Sequence, residues 1–210
     1  NVFTVTAADT AEYGKDYSFT VIKHVDNVVI EVAIGGTAYT LSAPDNNVYT
    51  IPGAAITGAI AITVREPIEV TATPTVTDVF EVTAPATAAY KQDYSFTVKK
   101  IAKNVTMEEP YALGAPINDG EYTIPGASVT GAIVIKVYEP LTVTKPANVN
   151  FTLMGDDTVA RNGLYEFTVT ASAGFVVKEV KVGDAVLTAT DNKYSYQAGT
   201  EGFAISVTVE

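Results

Sequence analysis

The sequence contains no cysteine, no tryptophan and only one histidine, His24. Without cysteine the chain has no disulfide framework, no thiolate zinc site and no cysteine nucleophile. A serine triad could be built only once, at His24, and no G-x-S-x-G motif accompanies it. We interpret His24 as an exposed loop residue. The chain is therefore predicted to be no enzyme, with no catalytic residue and no cofactor.

Basic residues are also scarce, since 13 Lys and Arg stand against 24 Asp and Glu for a net charge of −11. Nucleic-acid phosphates and anionic membrane surfaces both require clustered positive charge. No apolar run reaches the roughly 18 residues of a membrane-spanning helix. We expect no nucleic-acid partner and no membrane insertion in this segment. Because the first residue is Asn1 rather than Met, we also expect a processed or excised product.

Three related copies of one segment make up the chain. VFTVTAADTAEYGKDYSFTV begins at Val2, VFEVTAPATAAYKQDYSFTV at Val79, and the more divergent VNFTLMGDDTVARNGLYEFTV at Val149. In each copy a phenylalanine near the start lies 14 positions before the tyrosine of the next predicted strand, in the pairs Phe3 and Tyr17, Phe80 and Tyr94, and Phe151 and Tyr165. Such repetition predicts three equivalent domains, which we place at residues 1–66 (copy one), 67–139 (copy two) and 140–210 (copy three).

Apolar and polar residues alternate along each copy with the period of a β-strand. Tyr17, Phe19 and Val21 fall on one face of a strand, while Ser18 and Thr20 fall on the other. About six short strands are predicted in each copy, and their apolar faces are best buried in a two-layer sandwich. The core of copy one, matched by counterparts in the other copies, is predicted to contain Phe3, Tyr17, Phe19, Ile51, Ile60 and Ile62.

The motifs YGKDYSFTV, IGG and VYTIPGAAITGAIAITV resemble the short immunoglobulin-like repeats of large surface proteins of Gram-positive bacteria, including gut species. The resemblance covers all of copy one, most of copy two and copy three more loosely. It implies an all-β chain of three tandem small Ig-like β-sandwich domains in an extended array, secreted and attached to the bacterial cell surface. The tryptophan and paired cysteines of antibody domains are absent, so the likeness concerns architecture only.

Copy two departs from the pattern at Thr106-Met107-Glu108-Glu109-Pro110, where the alternation fails and a proline intervenes. A bulge or an edge strand is expected there.

Tyrosines outside the alternating core positions are the candidates for binding, because sugar rings stack on exposed aromatic side chains. Tyr111 and Tyr138 are the candidate binding residues. Tyr13 and Tyr90 occupy equivalent positions in copies one and two, and we expect them to pack against the start of the following strand.

Oxygen-rich loops at Asp45-Asn46-Asn47, Asn118-Asp119-Gly120 and Asp191-Asn192 contain residue types that bind calcium. The same residues are those that a tight hairpin turn requires. We predict turns at these positions and no metal site.

A short strand-like segment, here called the leader segment, precedes copies two and three. Ile68–Thr71 and Leu141–Thr144 both keep the alternation, and no such segment precedes Val2 in the sequence. If each leader is a strand of the copy that follows it, copy one exposes an unpaired edge. The partners expected are neighbouring repeats of a longer array from which the segment was excised, or identical subunits joined head to tail by a donated strand.

Two functions are compatible with these features. The first is a non-catalytic structural, spacer or filament-forming repeat region of an extracellular bacterial surface protein. The alternative is an adhesive binding module that recognises a glycan or a host protein.

Overall fold

The computed structural model describes residues 1–73, 77–108, 111, 113 and 120–210. Within these ranges the regular secondary structure consists of β-strands and of two three-residue 3-10 turns at Gly53–Ala55 and Gly126–Ser128, and there is no α-helix. The chain is therefore all-β, as its alternating pattern predicts. Leu, Met, Gln and Arg are few, whereas the β-branched and aromatic residues Val, Ile, Thr, Tyr and Phe are abundant, and this composition favours strands.

Copy one forms two three-stranded sheets, in the orders β1-β2-β5 and β4-β3-β6. All pairs within them are antiparallel, and Phe19 lies opposite Tyr49. The strands are β1 (Phe3–Ala7), β2 (Tyr17–Lys23), β3 (Val29–Ile34), β4 (Thr37–Tyr39), β5 (Val48–Ile51) and β6 (Ile60–Arg65).

Copy two supplies one sheet in the order β12-β10-β8 and one in the order β11-β13-β7-β9. The strands are β7 (Ile68–Thr73), β8 (Phe80–Thr83), β9 (Thr87–Ala88), β10 (Tyr94–Lys100), β11 (Thr106–Glu108), β12 (Glu121–Ile124) and β13 (Ile133–Tyr138). Among the described strands β11 lies at the edge of its sheet, in agreement with the edge strand expected at Thr106–Glu108. Glu109 and Pro110, which belong to the same expectation, lie outside the described residues.

Copy three supplies one sheet in the order β15-β17-β20 and one in the order β16-β14-β21-β18-β19. The strands are β14 (Leu141–Thr144), β15 (Phe151–Met154), β16 (Thr158–Val159), β17 (Leu164–Ala171), β18 (Val177–Val182), β19 (Ala185–Val186), β20 (Lys193–Gln197) and β21 (Phe203–Val209).

The leader segments are strands β7 and β14 of the copies that follow them. Strand β7 pairs antiparallel with β9, where Ile68 lies opposite Ala88. Strand β14 pairs antiparallel with β16 and parallel with β21, where Val143 lies opposite Phe203. The prediction that 68–71 is hydrogen-bonded as a strand of copy two is therefore confirmed.

Side chains from both sheets meet in one hydrophobic cluster in copy one and in another in copy three. Phe19 and Phe96 are only 2% and 3% exposed, which confirms the predicted register of β2 and β10. Phe3 is half-buried, whereas its counterparts Phe80 and Phe151 are buried, so the predicted core is less complete in copy one. The copy-one cluster consists of Tyr17, Phe19, Val21, Val32, Ile34 and Ile51, with Ile60 and Ile62 partly buried against it.

Copies one and two share an Asp-Tyr motif and a Pro-Gly motif, and in each copy the backbone of the glycine lies close to the segment that contains the aspartate. The amide of Gly53 donates a hydrogen bond of 2.8 Å to Asp16 Oδ1, and the amide of Gly126 donates one of 2.7 Å to Asp93 Oδ1. A Cβ atom on Gly126 would lie 2.6 Å from the carbonyl oxygen of Lys91. Only glycine fits there, so the two motifs are retained together.

The chain divides into two compact units. The first comprises Asn1–Thr71, Ala84–Phe96 and Tyr111–Val134, and the second comprises Ala72–Thr83, Thr97–Pro110 and Ile135–Glu210. These limits do not coincide with residues 66 and 139, although each sheet takes its strands from a single copy. The division into three domains and their extended arrangement stay predictions.

Candidate interface between the copies

The two candidate binding residues both make contacts with neighbouring strands. Tyr111 is half-buried, and its hydroxyl lies 3.5 Å from the carbonyl oxygen of Ala132 and 3.4 Å from the amide of Val134. Tyr138, the last residue of β13, is also half-buried and donates a hydrogen bond of 2.6 Å to Glu108. The hydroxyl of Tyr138 is therefore already occupied by a residue of the same sheet.

In the first compact unit an asparagine of copy one binds the backbone of copy two. Asn27 Nδ2 donates to the carbonyl oxygen of Thr87 at 3.1 Å and lies 2.8 Å from Thr87 Oγ1. Asn27 has a φ of 62°, a left-handed conformation that asparagine adopts at low cost. We call this contact, together with the ring contact of Arg65 described below, junction one.

The second compact unit contains the same arrangement between copies two and three. Asn104 Nδ2 donates to the carbonyl oxygen of Thr158 at 3.0 Å and lies 3.2 Å from Thr158 Oγ1. Its φ of 64° matches that of Asn27. Asn27 and Asn104 precede Val28 and Val105, and the two contacts are made by equivalent residues of the repeat. We call this contact, with the ring contact of Tyr138, junction two.

A cation lies over an aromatic ring in junction one. The guanidinium of Arg65, at the end of β6, is 4.0 Å from the centre of the Tyr90 ring. Arg65 Nε also donates to Glu31 Oε2 at 2.5 Å, and Lys91 Nζ lies 4.0 Å from the same carboxylate. The hydrogen bond to Glu31 raises the pKa of Arg65 above its usual value, although burial opposes this. The cation is held over the ring by its ion pair.

Junction two has the same geometry with the two residue types exchanged. Arg161 lies 4.3 Å from the centre of the Tyr138 ring. The Tyr138 hydroxyl donates to Glu108, which also pairs with Lys136 at 3.2 Å. The hydrogen bond from Tyr138, followed by that from Lys136, lowers the pKa of Glu108, and the hydrogen bond to Glu108 raises the pKa of Tyr138.

The exchange takes place between equivalent positions of the repeat. Arg65 and Tyr138 are the last residues of the equivalent strands β6 and β13. Tyr90 and Arg161 each precede a residue of positive φ, Lys91 at 56° in one case and Asn162 at 55° in the other. Both junctions therefore contain an attractive Arg–Tyr pair, although the position that holds the cation in one junction holds the aromatic ring in the other. This pair was not predicted from the sequence. The exchange of Arg and Tyr between the two equivalent positions of the repeat could have revealed it.

Copy one carries an open groove where copies two and three carry their leader strands. The groove has a volume of about 460 Å³ and is lined by residues 8–11 on one side and residues 56–60 on the other, with Tyr13 and Tyr17. Tyr13 is 92% exposed, so the expectation that it packs against the following strand is wrong. Its counterpart Tyr90 is half-buried because Arg65 covers its ring.

The only histidine is exposed, and its Nε2 lies 3.0 Å from Thr4 Oγ1. In the part of the chain that the structure describes, no group of three or more His, Asp or Glu side chains is placed to hold a metal ion. Nor does any helix of the described residues have the length and apolar character to cross a membrane.

Two of the three oxygen-rich loops are tight turns. Asn46 and Asn47 have φ values of 48° and 67°, and backbone hydrogen bonds join Asp45 and Val48 on either side of them. Asp191 and Asn192 repeat this conformation, with φ values of 50° and 65°. These are the left-handed pairs that a two-residue hairpin turn requires. Asn118 and Asp119 lie outside the described residues.

Comparison of the chain with protein-family models, with curated proteins and with solved structures found no match. The resemblance drawn from the motifs of copies one and two therefore stays an interpretation of sequence. The function proposed below depends on the contacts of the two junctions.

Proposed function

We propose that the chain is a non-catalytic spacer region of an extracellular bacterial surface protein, built from three tandem Ig-like β-sandwich domains at 1–66, 67–139 and 140–210. In such a region each domain bears on the next and holds another part of the protein away from the cell. The source and the cellular location follow from the resemblance of the motifs to surface-protein repeats.

The observation that carries the proposal is the recurrence of the same contacts in junctions one and two. Asn27 and Asn104 each bind the equivalent threonine of the following copy, and in both cases Nδ2 donates to the carbonyl oxygen and to Oγ1 of that threonine. A surface that binds a soluble ligand has no need to repeat a contact between adjacent copies, whereas a stiff spacer does. The junctions are also short, since Glu66-Pro67 and Glu139-Pro140 alone separate closing strand from leader strand.

The alternative, an adhesive module, would use the exposed part of Tyr111 or Tyr138. Tyr138 is already engaged by Arg161 on its ring and by Glu108 at its hydroxyl, which favours a structural role for this residue. Tyr111 makes only long contacts through its hydroxyl and is the better candidate for a ligand.

Two measurements test the proposal. Antibodies raised against the purified chain should label intact cells that produce it, and labelling only after lysis would contradict a surface location. On a glycan array the chain should give no specific signal. Binding that Tyr111→Ala abolishes and Tyr111→Phe preserves would establish the adhesive module instead, because phenylalanine retains the ring on which a sugar stacks.

A further inference from the structure

Strand β6 occupies a different place in its sheet from its counterparts. In copy two the leader strand β7 lies between β13 and β9, and in copy three β14 lies between β21 and β16. In copy one the order is β4-β3-β6, so β6 is an edge strand in the described structure. One side of β6 thus offers backbone groups that its counterparts use for pairing.

The two walls of the groove correspond to the two strands that flank a leader strand. Thr10-Ala11 has the same residues as Thr87-Ala88, yet only the latter forms a strand, β9, where β7 pairs with it. On the other wall, the registers of Ile34 with Ile60 and of Val182 with Ile205 make Gly58-Ala59 the counterpart of Phe203-Ala204, the pair that binds β14.

Side chains around the groove are more exposed than their counterparts in copy two. Ile133, Ile135 and Val137 of β13 are 1%, 3% and 2% exposed, whereas the equivalent residues of β6 are only half-buried. In copy three the first of the three positions, Ile205, is buried, and Val207 and Val209 are half-buried as in copy one. Ala11 is exposed, although its counterpart Ala88 is buried. Among the described strands, none covers the apolar positions of β6 in the way that β7 covers those of β13.

The face around the groove also carries the counterparts of the two residues that contact the preceding copy in each junction. Thr10 is the counterpart of Thr87 and Thr158, which accept the hydrogen bonds of Asn27 and Asn104. Tyr13 is the counterpart of Tyr90 and Arg161, which form the ring contacts. Copy one therefore presents, uncovered, the complete receiving face that copies two and three use.

We propose that the groove between residues 8–11 and 56–60 binds a leader segment that follows the last strand of another copy of this repeat, as Ile68–Thr73 follows β6, and that this segment adds as a strand beside β6. The segment required has alternate apolar side chains, as in Ile68 and Val70, and a backbone N–H at the second of them. In copies two and three that N–H, from Val70 or Val143, donates to the carbonyl oxygen of Ala86 or Asp157 at 3.0 and 2.9 Å. The equivalent acceptor in copy one is the carbonyl oxygen of Asp9.

The inference goes beyond the spacer function and does not depend on it. It concerns the geometry of copy one in the purified chain, whichever protein the repeat serves. If the chain proved not to be a surface protein, the spacer function would be contradicted, but the proposal that the groove binds a strand would not be affected.

The test supplies the strand by tethering it. The sequence of residues 65–77 is placed before Asn1 of the full chain, so that the leader segment stands as far from Phe3 as β7 stands from Phe80. A short tether gives an effective concentration of about millimolar, enough to detect a weak strand. Hydrogen exchange of the amides of residues 56–65 should slow by about tenfold or more.

The matched control carries Val70→Pro within the added segment, which removes the donor for Asp9 and cannot join a ladder. The control should exchange like the original chain. Equal exchange in the two extended chains would overturn the proposal.

A second measurement covers the case of an extended chain that fails to fold. The unmodified chain is titrated with a synthetic peptide of sequence Arg65–Thr73 to millimolar concentration and observed by NMR. Shifts of the amide signals of residues 8–11 and 58–61 that the Val70→Pro peptide does not produce support the proposal. Their absence contradicts it.

Discussion

Replacing Asn27 by glycine separates the hydrogen bonds of junction one from the conformation of its turn. The φ of 62° is one that glycine adopts freely, so Asn27→Gly removes the side chain without straining the backbone. Two contacts are lost, at 3.1 and 2.8 Å to Thr87. A net value of about 0.5 to 1.5 kcal/mol for each hydrogen bond gives an expected loss of about 1 to 3 kcal/mol in the free energy of unfolding.

The chain supplies its own control at Asn47, which also has a positive φ, 67°, and whose side chain is exposed without a hydrogen bond to the described residues. Asn47→Gly leaves Asn46 followed by a glycine, a favourable pair for this turn, and is expected to be neutral or slightly stabilising. Urea denaturation followed by circular dichroism measures both variants. If Asn27→Gly falls within about 0.5 kcal/mol of Asn47→Gly, the hydrogen bonds contribute nothing and the reasoning is refuted.

Three further predictions concern other contacts. The double variant Arg65→Tyr/Tyr90→Arg reproduces the arrangement of junction two and should unfold at a higher urea concentration than either single variant; additive losses would contradict an equivalent junction. Gly126→Ala should lose about 1 to 3 kcal/mol because its Cβ meets backbone atoms, whereas Gly131→Ala, with open space around it, should be neutral or stabilising in the same denaturation assay. Burial raises the pKa of Tyr94 to about 12, above the ordinary value of 10.0. As the pH rises, the unfolded chain therefore loses the Tyr94 proton before the folded chain does, so the contribution of this tyrosine to the free energy of unfolding is complete below pH 10 and declines towards pH 12. Tyr94→Phe should reduce the decline of the unfolding free energy between these pH values. An unchanged slope in the variant would contradict the assignment of this decline to Tyr94.

The strands and the leader segments could be predicted from sequence because the alternation of apolar residues is a local signal. Tyr17, Phe19 and Val21 give the register of β2 by themselves, and Ile68–Thr71 shows its strand character in four residues. The close approach behind Gly53 could not be foreseen, since it joins residues 37 positions apart through a backbone amide.

The contacts between copies could not be predicted from the sequence for a related reason. Asn27 and Thr87 lie 60 positions apart, and neither residue type is unusual in its own loop. The positions of Arg65 and Tyr90 are occupied in the next junction by Tyr138 and Arg161, so a search for identical residues in the repeats does not find them. The prediction for Tyr13 was wrong because the residue that covers its counterpart Tyr90 belongs to the preceding copy.

Whether the repeated junction contacts hold adjacent copies together is tested most directly by ¹⁵N NMR relaxation across junction one. The account predicts that amides of copy one and of copy two share one rotational correlation time, and that Asn27→Gly combined with Arg65→Ala makes the two values diverge. Separate correlation times in the unmodified chain, each close to that of a single small domain, would show freely moving copies and contradict a spacer built on these contacts.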